Sequence, residues 1–289
     1  MMTFGTIGLC VNLYVIYGVC KSKIFGHSFG RICISQSIAN CGNAATFGIL
    51  VSFITILKPS LHESYWGARC GQLLIFFWMA DLFSHLCATF NRFCCIFFPV
   101  PYSQIFAKRI TNLYIAVAWM IATIQIIPYF NYQCTLQFEL STLTFQFLVT
   151  PCTPYIALYF DLYLSLFFVA VILLFDLATL WKVRQVTKKA DSRFRCGKKQ
   201  IRDIRFFFQA LSQAAIVITE LMFYFYISNL VENKWVKFSM TTFAWILLQT
   251  LDGVIVIVFN RELRSFRAIT SDSNTVIVKG ANCPSRFIT

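Results

Sequence analysis

The chain has 289 residues, 58% of them hydrophobic and only 13% charged, with a net charge of +13. A soluble domain carries about 25% charged residues, so the composition excludes a soluble globular protein and indicates one membrane-embedded helical domain. Three scattered histidines and the absence of any Cys-x-x-Cys pair argue against a zinc cluster.

A bilayer core requires about 20 apolar residues per helix. Seven segments qualify, at 2–20, 29–57, 71–98, 112–130, 155–181, 204–230 and 236–259. The predicted fold is therefore all-α, a seven-transmembrane helix bundle. The first segment is short. It reads either as its own signal-anchor or as a helix whose N-terminal flank lies outside this chain. The second is long enough to tilt or to project from the membrane.

The third segment carries the informative polar residues. Asp81, His85 and Arg92 fall at i, i+4 and i+11, on one helical face with Trp78. Ionisable groups at membrane depth face protein or water and are functional candidates. An Asp81–His85 contact at i, i+4 is expected, either as a proton relay or as a structural hydrogen bond. Arg92 reads as a switch residue, with a snorkelling anchor as the competing reading.

Of the 25 Lys and Arg, 21 fall on one set of loops and four on the other. By the positive-inside rule the N-terminus is outside and the C-terminus inside. The charge is thus a property of one face. Topology and anionic lipid account for it, and nucleic acid is not called for. Lys198, Arg202 and Arg205 lie at i, i+4 and i+7 at the start of the sixth segment. This basic face suits an acidic partner or inner-leaflet lipid.

On the outer side lie Cys70, Cys134 and Cys152, in a compartment that permits disulfides. Candidate ligand-pocket residues in the outer half are Trp78, Asp161, Glu220, Tyr224, Trp245 and Gln249; for the aromatic ones, packing is the competing reading. Residues 1–267 are expected to form the seven-transmembrane domain. Leu263 and Phe266 mark a short interfacial eighth helix, and 268–289 is a polar tail expected to be disordered and cytoplasmic.

Asn12 and Asn40 sit 28 residues apart, and Asn40 and Arg92 sit 52 apart. Trp119 lies in the fourth segment, and Asp252-Gly253-Val254-Ile255-Val256 in the seventh. These spacings resemble a rhodopsin-like G-protein-coupled receptor. A closer resemblance, to the nematode serpentine chemoreceptors of class X, rests on several motifs. They are Phe25-Gly26, Ser37-Ile38-Ala39-Asn40, Asn91-Arg92-Phe93 with Phe98-Pro99, Ile204-Arg205-Phe206-Phe207, and Phe259-Asn260-Arg261-Glu262. Asn91 stands where the family's usual acid precedes the Arg.

The resemblance implies a chemosensory receptor with a small-molecule ligand in the bundle and a heterotrimeric G protein beneath it. It implies residence in the plasma membrane of a sensory neuron, with no cofactor and no catalysis. Asn91 and Arg92, with the basic face, would couple to the G protein. Asn12, Asn40, Asp81, His85 and Asp252 would form an intramembrane polar network, with a sodium ion or shared proton at Asp81 and Asp252 as one reading and simple packing as the other. A disulfide would join Cys70 to Cys152 or Cys134, with Cys152 favoured. Competing classes are a seven-helix channel or transporter, for which no inverted repeat is visible, and a non-signalling family member.

Overall fold

The structure is a computed structural model that describes residues 1–22, 25–190 and 197–264. Seven helices are long and apolar enough to cross a membrane. They are α1 (Met2–Lys21), α2 (His27–Leu57), α3 (Tyr65–Phe97), α4 (Lys108–Phe130), α5 (Pro154–Gln185), α6 (Phe208–Leu230) and α7 (Lys234–Phe259). The last described helix, α8 (Arg261–Arg264), is a single turn.

Composition explains which helix is central. In its most apolar stretch α3 is 67% buried, against 17% for α4. It packs on α2, α4 and α5 at once, so its polar stripe faces protein on every side. By contrast, α1 buries one narrow stripe of Gly5, Gly8, Asn12, Val15 and Val19, with Gly18 beside it. That three-and-four spacing is the small-residue seam that lets transmembrane helices approach closely.

An element absent from the sequence reading closes one end of the bundle. The chain between α4 and α5 forms an antiparallel hairpin, β1 (Leu136–Glu139) and β2 (Thr144–Phe147), with Leu136 opposite Phe147 and Glu139 opposite Thr144. Leu136, Phe138 and Phe145 are buried. The Phe145 ring meets Phe47 of α2 at 5.6 Å, and Phe138 meets His62 at 4.7 Å. The hairpin crosses α3 at Gly71, where a Cβ would lie 2.0 Å from the Leu136 carbonyl oxygen. Only a residue without a side chain fits there.

This geometry corrects the expected disulfide. Cys134 and Cys152 flank the hairpin and are bonded to each other, with Cα atoms 5.4 Å apart. Cys70 is a buried free thiol. The reason is local: α3 starts at Tyr65, capped by Ser64, whose hydroxyl accepts from the Gly67 amide. Cys70 is therefore inside the helix and not at its tip.

Three helices contain widened π-helical turns: Thr46–Val51 in α2, Pro154–Tyr163 opening α5, and Ser239–Phe243 in α7. All three lie toward the hairpin end. Such turns concentrate at functional sites because they re-aim side chains that a regular helix would align.

The described part of the expected interfacial helix is α8, and its Leu263 is fully buried against Val15, Val19, Phe25 and Val256. The Leu263 carbonyl accepts a hydrogen bond from the Tyr14 hydroxyl at 2.5 Å. This residue is packing, not a surface anchor. Phe266 and the tail 268–289 lie outside the described residues.

Candidate functional site

Four side-chain assemblies, three polar and one aromatic, stand out among the described residues. The first is centred on Asp252 of α7. Its carboxylate accepts from Asn40 at 2.7 Å and Gln36 at 3.2 Å, both on α2, and from Gln213 of α6. Asp81 of α3 lies within electrostatic reach of Asp252 and of Gln36. Asn12 of α1 donates to the Gln249 carbonyl oxygen at 3.0 Å. Gly253 makes this approach possible, since a Cβ there would sit 3.0 Å from the Asn12 amide oxygen. Thus Asn40, Asp81 and Asp252 converge, together with two glutamines that the sequence reading missed, and Asn12 joins α1 to the α7 backbone one turn from Asp252.

His85 does not join them as expected. Among the described residues no hydrogen bond connects it to Asp81; the Asp81 Oδ1 and the His85 Nε2 are both buried without a partner. An i, i+4 pair on a helix meets only when both rotamers turn toward each other.

The second assembly is the switch region. Arg92 forms an ion pair with Asp176 of α5 at 3.2 Å and donates to the Thr89 hydroxyl at 2.8 Å. Both partners are nearly enclosed, with side chains 13% and 5% exposed. The neighbouring Asn91, where an acid would usually sit, instead pairs with Tyr102 in the loop between α3 and α4, its amide donating to the hydroxyl at 3.2 Å. Burial pushes the Tyr102 phenol above its ordinary value, which keeps it a hydrogen-bond donor. Lys198, Arg202 and Arg205 belong to a helix that starts at Gly197, but their side chains lie outside the described residues.

The third is aromatic. Trp245 stands edge-on to Phe47, Tyr224 and Trp78 at 5.4, 6.2 and 6.4 Å. Trp78 is fixed by its indole N–H donating to Ser165 at 3.2 Å, and the Tyr224 hydroxyl donates to the hairpin carbonyl of Phe145 at 3.0 Å. Gln249 is not part of this group; it sits deeper, beside Asn12.

The fourth is acidic. Asp161 of α5 and Glu220 of α6 are 6% and 7% exposed, and Glu220 lies within electrostatic reach of Asp161. Tyr224 and Tyr129, from α6 and α4, lie within electrostatic reach of Asp161. A cavity of ≈ 270 Å³ opens between the hairpin and α5, α6 and α7, lined by Tyr224, Ala157 and Lys237. A second, also ≈ 270 Å³, runs between α6 and α7 and is lined by Glu220 and apolar side chains.

Residues 2–260 match the family of serpentine type 7TM GPCR chemoreceptors called Srx. The chain belongs to this family. It is 25% identical over 282 residues to Serpentine receptor class X 45 of Caenorhabditis elegans, covering 90% of this chain and 77% of that protein. It is 24% identical over 294 residues to Serpentine receptor class X-43 of the same organism, covering 95% and 88%. It is accordingly a multi-pass membrane protein of a chemoreceptor family.

For an Srx chain the most instructive omission is Asp176. It is an acid within an apolar helix, a signal sufficient to flag it. Its pairing with Arg92, 84 positions away, has no signature in either segment. Gln36 lies one turn before Asn40 and was likewise visible as a polar residue on a buried face.

Proposed function

We propose that this Srx chain is a chemosensory receptor. It binds a small molecule from outside within the hairpin end of the bundle and activates a heterotrimeric G protein at the Arg92 end. In this reading the N-terminus is external, the basic loops are cytoplasmic, and the membrane is that of a sensory neuron. The observation that carries the reading is the enclosed Arg92–Asp176 ion pair. A buried pair resists loss of one partner by about 3–5 kcal/mol, because an uncompensated charge remains. It therefore holds α3 to α5 in one packing and defines a second packing in which it is open. A ligand that prefers the second shifts the population toward it. Asp81 and Asp252 share a proton or a sodium ion in this scheme, in keeping with the Asp81 oxygen that has no protein donor among the described residues.

The test is basal signalling in cells carrying a promiscuous G protein, with surface staining as the control. Asp176→Asn is expected to raise ligand-free output several-fold. Arg92→Ala should reach the surface and stay silent. Equal basal output from wild type and Asp176→Asn, at equal surface density, would remove the ion pair from the switch.

A further inference from the structure

Asp161 and Glu220 pose a problem that the fold does not solve. Neither carboxyl has a hydrogen bond or ion pair among the described residues, yet both side chains are more than nine-tenths buried. Two carboxyls within mutual reach in a low-dielectric interior disfavour each other's charge unless a cation lies between or beside them. Lys237 lines the cavity under the hairpin, but it forms no ion pair with either acid among the described residues.

The surroundings fit an organic cation. Tyr129 is 2% exposed, and its hydroxyl has no hydrogen-bond partner among the described residues, although it lies within reach of Asp161. The Trp245 ring lies 6.2 Å from that of Tyr224 and 6.4 Å from that of Trp78. Aromatic faces attract ammonium groups. One turn along α6, Tyr224 lines the more polar cavity and Glu220 the apolar one. An ammonium held at the acids would thus have apolar space beside it for a tail. A divalent metal fits less well, since no group of three His, Cys, Asp or Glu suited to a metal occurs among the described residues.

We infer that Asp161 and Glu220, with Tyr129 and Tyr224, form a recognition site for a small organic ammonium bearing an apolar tail. The inference rests on the receptor reading only for the biological role of the site; binding itself is independent of signalling.

The experiment compares 2-phenylethylammonium with its neutral counterpart 2-phenylethanol, on the full chain purified in lipid nanodiscs. The ammonium should bind the wild type about tenfold more tightly, as a charged hydrogen bond warrants. Glu220→Gln and Asp161→Asn should each weaken the ammonium about tenfold while leaving the alcohol within about twofold. Tyr129→Phe, which removes one oxygen and keeps the ring, should weaken it by about threefold. Equal binding of ammonium and alcohol by the wild type would overturn the proposal without recourse to any variant. So would stabilisation by calcium chloride with none from the ammonium. Ammonium binding that never activates a G protein would instead count against the receptor reading. A constitutive Asp176→Asn in a chain that ignores the ammonium would retain that reading and sink this site.

Discussion

Two of the buried carboxylate centres in this bundle, at Asp252 and at Asp161 with Glu220, are treated by the fold in opposite ways. Asp252 receives three amide donors from α2 and α6. Both of its oxygens accept from protein, and in return it ties three helices together, leaving the neighbouring Asp81 Oδ1 without a protein donor among the described residues. Asp161 and Glu220 receive no protein donor among the described residues, and Glu220 lines a cavity in the α6–α7 crevice. A carboxylate supplied with donors is what packing requires, because each buried amide must find an acceptor. One without donors at similar depth costs stability, and chains keep such a cost where another molecule relieves it.

The sharpest way to break this contrast is to make the same substitution at both centres. Asp252→Leu strands Gln36, Asn40 and Gln213, all buried. With each unsatisfied group costing about 1–3 kcal/mol, the loss should be on the order of 3 kcal/mol or more, enough to abolish surface delivery. Glu220→Leu removes a charge that no protein group balances and fills the site with carbon. It should leave thermal stability unchanged or raise it, as replacing imperfectly compensated buried ions often does. Melting temperatures of the two variants in detergent decide the matter. If both fall alike, the acidic pair is structural and the contrast dissolves.

Next in size is the cover over the acidic pair. Gly71→Val forces a side chain into the Leu136 carbonyl, which lies 2.0 Å from any Cβ at that position. The hairpin must lift from α3, at a cost of about 1–3 kcal/mol by analogy with overpacked cores. Labelling of Cys70, buried in the wild type, by a membrane-impermeant maleimide would report the lifting. The Asp252 centre, remote from the hairpin, should keep its contribution to stability.

How much of this was readable beforehand follows the range of each interaction. The seven spans were legible because hydrophobicity is local and additive along the chain. Even so, α3 begins at Tyr65 and not at Gly71, because Arg69 interrupts the apolar run without interrupting the helix. In the structure its guanidinium stacks on Tyr65 at 4.4 Å and donates to the Tyr129 carbonyl at 3.0 Å, so a charged residue continues the helix. The convergence of Asn40, Asp81 and Asp252 was legible through family spacing. The cysteine pairing was not, since it depends on a hairpin whose strands are four residues each. Their alternation of Leu136 and Phe138, and of Phe145 and Phe147, was the available clue. Asp176 and Glu220 could be seen as acids in apolar helices, but only the fold shows that one is paired and the other is not.

The smallest effect expected concerns His62, which lies in the loop between α2 and α3 beneath the hairpin. Its Nε2 shares a hydrogen bond with the Thr55 hydroxyl at 2.9 Å, its ring packs on Phe138, and its Nδ1 is buried without a partner. Burial lowers the imidazole below its ordinary value of 6.5, so the folded state favours the neutral ring. Above 6.5 both folded and unfolded forms are neutral, and the contribution is present in full. As pH falls below 6.5 the unfolded chain takes up a proton that the folded chain resists, so stability declines toward the lowered folded value. The hairpin end should therefore loosen at mildly acid pH while the Asp252 centre, far from this histidine, is unaffected by it. His62→Gln keeps a donor for Thr55 and removes the titration. A melting temperature that drops between pH 7 and pH 5.5 by the same amount in wild type and His62→Gln would show that the acid sensitivity originates elsewhere.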